Sequence, residues 1–138
     1  PEYATQVQAQ ATATPYGKGL LRGQLRHERV AGMLAETDVL VAPSLWYENA
    51  PMVIAEAFAA GVPVVASNLG ALAEHVTDGV SGLLAPPGDA PALAAALRSL
   101  ATEPGLLAQL RAGIPPAVTR TEHVQEMEQV YREVAGFT

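Results

Sequence analysis

A chain of 138 residues with 49% apolar content fits one domain around a single buried core, which excludes disorder and solenoid arrays. Eight Lys and Arg against fourteen Asp and Glu give a formal charge of −6, so there is no electrostatic footprint for a phosphate backbone and a nucleic-acid partner is excluded. The chain has no cysteine, which removes disulfides, thiolate catalysis and Cys-ligated zinc.

Pro1 to Ala13 lacks the basic start and apolar centre of a secretion signal, and the chain does not open on Met, as expected of a processed, trimmed or excised segment. The longest nearly apolar stretch, 52–66, is interrupted by Glu56, Gly61 and Pro63 and falls short of the roughly 18 to 20 residues that span a bilayer. A cytoplasmic location is the expectation.

Gly19 to Gly23 predicts a short strand, and His27 to Thr37 a helix with Val30, Met33 and Leu34 on one face and Arg26 and Arg29 in solvent. Asp38 to Pro43 is a near-continuous apolar strand, with Asp38 at its start, followed by a loop from Ser44 to Ala50. Pro51 to Ala60 reads as a helix: Pro51 suits a first turn, where its missing N–H is not needed, and Gly61 suits a left-handed stop. Val62 to Ala66 is a second buried strand, and strand, helix, strand within about thirty residues implies a parallel pair joined by a right-handed crossover.

Further on, Gly70 to Val76 predicts a short helix, and Asp78-Gly79 a turn feeding a strand from Gly82 to Ala85. Asp89 caps the next helix, where Leu93, Ala96, Leu97 and Leu100 recur at helical spacing; Glu103 to Arg111 predicts another. After a Gly/Pro-rich break at 112–117, Thr119-x-x-Glu122 forms a capping box. In the last helix Val124, Met127, Tyr131 and Val134 form a stripe that must be covered, by the chain's own sheet or by a second copy. The pattern is α/β: a Rossmann-like, doubly wound parallel sheet with helices on both faces.

In an open parallel sheet, ligands bind outside the carboxyl ends of the strands, which directs attention to the loop holding Ser44, Trp46, Tyr47, Glu48 and Asn49. The helix after it would aim free N–H groups at the same crevice, favouring an anion such as a phosphate. Glu48 and Glu56 would repel a phosphate but can accept hydrogen bonds from sugar hydroxyls beside it. A carboxylate at position 56, flanked by apolar residues on a helix that packs on a sheet, is costly unless paired or at the rim. Trp46 and Tyr47 read as core or rim packing rather than a stacking platform. His27, His75 and His123 have no ligand-like spacing, so no metal site is expected.

The run from Asp38 to Ser44, then Glu48-Asn-Ala-Pro-Met-Val-Ile-Ala-Glu56 on to Gly61 and Ser67, then Gly70 to Glu74 and Asp78 to Asp89, resembles the donor-binding half of retaining glycosyltransferases of family 4. Those enzymes have the GT-B fold, two Rossmann-like domains facing a cleft. The resemblance implies that residues 1–138 are the nucleotide-sugar binding domain of such an enzyme, lacking the acceptor-binding domain and the first strand-helix unit. It implies a nucleotide-diphosphate sugar as substrate, transfer with retention to an unknown acceptor, and no metal or other cofactor.

Carried across by position, Glu48 is the catalytic candidate and meets hydroxyls of the donor sugar, and Glu56 holds the ribose. Asn49, Ala50 and Met52 lie between them, with the amides of Ala50 and Met52 as donors because Pro51 stands where the family has a glycine. Gly70 is a close-approach backbone. The family's Arg and Lys that neutralise the pyrophosphate have no counterpart, since Lys18 and Arg22 lie elsewhere. The isolated chain is therefore expected to be inactive and to self-associate more readily than a complete enzyme. Two alternatives stay open: another enzyme on this fold, such as a nucleotide-sugar epimerase or a phosphorylase-like enzyme, and a non-catalytic nucleotide-sugar binding or interaction module.

Overall fold

The computed structural model describes residues 2–13 and 23–136, and the chain divides into two compact units, residues 1–30 and 31–138. In the first, Glu2–Ala13 forms helix α1, where the sequence analysis had no element. Its alanine and glutamine content favours helix without any apolar stripe, and Thr12 Oγ1 donates back to the carbonyls of Gln8 at 2.9 Å and Ala9 at 3.0 Å. The strand expected at Gly19 to Gly23 lies outside the described residues except for Gly23, which is irregular.

The expected helix at 27–37 is split into a 3₁₀ turn, His27–Arg29, and a short α2, Val30–Ala35. Three parallel strands follow: β1 (Leu40–Ala42), β2 (Val64–Ser67) and β3 (Gly82–Ala85), in the spatial order β1-β2-β3. Leu40 pairs with Val64 and Val64 with Gly82. Between the strands run α3 (Met52–Ala59) and α4 (Gly70–His75), and after them α5 (Ala90–Thr102), α6 (Leu106–Ala112) and α7 (Arg120–Ala135).

All four residues of β2 are buried. Since successive side chains point to opposite faces, both faces of the central strand are covered, and α3, α4 and α5 all contact it. Ile54 and Ala57 of α3, Leu72 of α4, Val64 and Val65 of β2, and Leu110 of α6 complete this core. β1 is shorter and wetter than expected: Val41 is exposed, and Leu40 and Ala42 are half-buried. Among the described residues β1 pairs only with β2. Asp38 precedes it and pairs with Arg111 of α6 at 2.9 Å. The second strand begins two residues later than expected, because Val62 and Pro63 still belong to the turn after α3, where Val62 N–H donates to Ala57 O; Gly61 in that turn has φ +72°.

The β2–β3 contact depends on the absence of a side chain at Gly82, where a Cβ would lie 2.0 Å from the Val64 carbonyl oxygen. The turn before it is closed by Asp78 Oδ1, which accepts from Leu84 N–H at 2.9 Å, and by Ser81 Oγ, which accepts from Thr77 N–H at 3.1 Å. Asp89 caps α5, accepting from Ala92 N–H at 2.9 Å. α6 starts three residues later than predicted, since Gly105 is its left-handed N-cap.

The capping box of α7 is present: Thr119 Oγ1 accepts from Glu122 N–H and Glu122 Oε2 accepts from Thr119 N–H at 2.7 Å. Two hydrogen bonds to Thr119, backbone first and then side chain, hold the Glu122 carboxyl below its ordinary value. The expectation that the α7 stripe packs on its own sheet is corrected, because every residue of the helix is exposed. The segment 114–118, with Pro115 and Pro116, has no regular structure; its residues 115–118 line one recess with Ile54, Ala55 and Phe58 of α3.

Candidate functional site

The loop 43–51 leaves the carboxyl end of β1 and enters α3, so it lies at the edge where open parallel sheets bind ligands. Within it, Trp46 Nε1 donates to Glu48 Oε1 at 2.9 Å, and Ser44 Oγ donates to the same oxygen at 3.3 Å. Glu48 is half-buried. Its second oxygen, Oε2, accepts no hydrogen bond among the described residues, although an ionised carboxylate offers about four lone-pair sites. The loop thus builds a fixed carboxylate with one oxygen free toward its surroundings.

The start of α3 departs from expectation in one respect. Met52 N–H donates to the Ala50 carbonyl at 2.8 Å, so its amide is already committed and is not a ready donor to a ligand. Pro51, buried at the N-cap, has φ −74° and ψ 83°, and this bend turns the Ala50 carbonyl onto Met52. The Ala50 N–H donates no backbone hydrogen bond among the described residues, and Ala50 and Asn49 are exposed. Glu56 lies in the second turn of α3, about 6 Å along the axis from Met52. It is half-buried beside buried Ala57, which is the rim position expected of a carboxylate on a packed helix.

Gly70 opens α4 with φ +50°, and a Cβ built there would lie 2.7 Å from Cδ1 of Tyr47. The group that makes a close approach to this glycine is therefore the Tyr47 ring. Tyr47 is 76% exposed and Trp46 67% exposed, so of the core or rim packing expected for them neither takes the core. Each aromatic sits against one candidate residue instead, Trp46 against Glu48 and Tyr47 against Gly70.

Sequence reasoning missed a recess of about 180 Å³ lined by Pro43, Leu45, Ser67, Ala85, Gly88 and Leu93. It gathers residues that follow or end all three strands, and only the strand order brings them together. Its size is below the roughly 300 Å³ of a small-molecule site. Among the described residues no cluster of His, Asp and Glu could hold a metal ion, and no helix is long and apolar enough to cross a membrane. Lys18 and Arg22 lie outside the described residues.

The chain resembles known proteins in both sequence and fold. It is 43% identical over 90 residues to a glycogen synthase of Mycobacterium tuberculosis, covering 65% of this chain and 21% of that protein. It is 37% identical over 116 residues to a phosphatidyl-myo-inositol mannosyltransferase of Mycobacterium leprae, covering 82% of this chain and 31% of that one. The chain thus spans about a fifth to a third of the length of these curated relatives. Among solved structures, sucrose-phosphate synthase from Thermosynechococcus elongatus superposes with a TM-score of 0.74 at 31% identity, over 98% of this chain and 35% of that one. Anabaena Alr3699/HepE in complex with UDP and glucose superposes with a TM-score of 0.76 at 25% identity, over 99% and 37% respectively. These neighbours are GT-B glycosyltransferases, and the parallel three-stranded sheet with its helices is part of that fold. The family profile of glycosyl transferases group 1 matches residues 3–103, and the chain belongs to that family.

Proposed function

We propose that this chain is the donor-binding part of a family 4 glycosyltransferase that transfers a sugar from a nucleotide-diphosphate sugar to an acceptor with retention. The observation that carries the reading is the Glu48 carboxylate, held by Ser44 and Trp46 at the carboxyl edge of the sheet in a chain of the glycosyl transferases group 1 family. In this reading Glu48 accepts hydrogen bonds from hydroxyls of the donor sugar and Glu56 accepts from the ribose. The Ala50 amide and Asn49 lie within reach of the same sugar. The Met52 amide serves only after releasing the Ala50 carbonyl, and contact at Gly70 requires the Tyr47 ring to move aside.

No metal is assigned a part. In this reading helix-end amides of this chain, with positive charge supplied from outside residues 1–138, stabilise the pyrophosphate leaving group, and such preorganised dipoles act most strongly where water is excluded. The reaction is placed in the cytoplasm. Anabaena Alr3699/HepE is a complex with UDP-glucose in another of its structures, which makes uridine nucleotides the first probes, with guanosine nucleotides beside them.

The test is an NMR titration of the chain with uridine and guanosine diphosphate sugars. With a net charge of −6 opposing a pyrophosphate, affinity is expected to be millimolar at best, about −4 kcal/mol. One carboxylate on two adjacent ribose hydroxyls contributes about 1.5 to 3 kcal/mol, so Glu56→Ala should weaken binding by roughly tenfold or more. Unchanged spectra over residues 48–56, or equal binding by the variant, would remove the assignment.

A further inference from the structure

We infer that Trp46, assisted by Ser44, is a positioning residue: it pins Oε1 of Glu48 so that Oε2 is the one acceptor presented to the donor sugar. This rests on the donor-site reading above and adds to it the device that orients the carboxylate. Two donors converge on one oxygen, from residues two and four positions upstream of Glu48, at 2.9 and 3.3 Å. The other oxygen has no partner among the described residues. A free glutamate side chain samples many rotamers and loses that freedom on binding; a carboxylate already held has lost it beforehand, which is preorganisation.

The exposure of Trp46 decides against simple packing. With 67% of its surface in water, the indole does little to fill the core, while its one polar hydrogen is directed at the candidate carboxylate. Indole N–H is a donor only, so it can hold one carboxylate oxygen but cannot itself accept a hydrogen bond from a sugar hydroxyl. Phenylalanine would keep the ring and lose this bond.

Trp46 is the only tryptophan, so the ¹H–¹⁵N spectrum of the chain has a single indole resonance. That resonance is expected to shift in Glu48→Ala, which removes its acceptor. In titrations with uridine and guanosine diphosphate sugars, and separately with UDP and GDP, Trp46→Phe should weaken the sugar nucleotide by roughly three- to tenfold. It should leave the free nucleotide unchanged, because Glu48 faces the sugar end. In a Glu48→Ala background the same substitution should cost nothing further. Ser44→Ala should act in the same sense but less, and Ser44→Thr, which keeps the hydroxyl, should restore binding.

The positioning role is overturned if Trp46→Phe binds sugar nucleotides like the wild type while Glu48→Ala and Glu56→Ala do not. It is equally overturned if Trp46→Phe weakens free nucleotide as much as sugar nucleotide, or adds its cost to that of Glu48→Ala; either result marks a structural role. A wild type that binds neither nucleotides nor their sugar conjugates overturns the donor-site reading and this inference together.

Discussion

Replacing Gly82 with alanine tests how tightly the sheet that supports the candidate site is assembled. The added Cβ would lie 2.0 Å from the Val64 carbonyl oxygen, 2.7 Å from Val76 Cγ1 and 3.0 Å from the Val64 carbonyl carbon. An ordinary carbon–oxygen contact is about 3.3 Å, so β2 and β3 would have to separate by about 1.3 Å at this point. Val76 could turn its methyl aside, but a backbone carbonyl in the central strand cannot. Gly82 O accepts from Gly79 N–H at 2.8 Å, so the same displacement strains the turn before β3. Overpacking costs about 1 to 3 kcal/mol and each weakened backbone bond about 1 kcal/mol. The expected total is about 3 kcal/mol, a fall in melting temperature of roughly 10 °C.

The control is Gly32→Ala in α2, where nothing lies within 4 Å of the added Cβ and better helix propensity should stabilise by up to about 1 kcal/mol. Urea unfolding of both variants, followed by circular dichroism and by Trp46 fluorescence, measures the pair. A Gly82→Ala protein within about 0.5 kcal/mol of the wild type, with an unchanged urea slope, would refute the close packing of these strands.

Three further outcomes are expected. The carboxyl of Glu122 is held low by its bonds to Thr119, so the cap contributes to α7 above the unfolded-state value, about 4.3, and is lost as pH falls through the lower folded-state value. Amide exchange or NMR shifts of residues 119–124 should therefore show α7 fraying in acid, and Glu122→Gln should abolish that dependence. The Asp38–Arg111 pair is exposed on both sides, so Arg111→Ala should cost less than about 1 kcal/mol and less still in high salt; a larger loss in urea melts would mean that Arg111 matters through packing. Purified alone, the 138-residue chain should turn over no nucleotide sugar, and release of UDP or GDP above the enzyme-free rate would contradict that expectation.

The parts of the molecule legible in the sequence are those governed by neighbours along the chain. Pro51 and Gly61 bracket α3, Asp89 caps α5, and Thr119 and Glu122 cap α7, because each rests on contacts within a turn or two. The apolar runs around residues 40, 64 and 82 became strands of one parallel sheet, since short apolar segments separated by helices have few other ways to cover both faces of the central strand. Glu48 and Glu56 were singled out through the family resemblance around them, in a loop and the helix after it, and their joint role belongs to the proposal above. The helix at Glu2–Ala13 was not legible, because it has neither a cap signal nor an apolar stripe.

What the tertiary structure alone decided concerns who meets whom across the chain. It left Val41 of β1 exposed, joined Arg111 to Asp38 across 73 positions, and set the Tyr47 ring over Gly70, twenty-three residues away. It also turned Trp46 outward with its N–H on Glu48 and committed the Met52 amide to Ala50. Side-chain size predicts burial only on average, and an amide's availability depends on the local bend. Composition and spacing determine which groups are near the crevice. Only packing and hydrogen-bond geometry determine which of their atoms remain free to bind, because every donor and acceptor is shared among neighbours that the fold brings together.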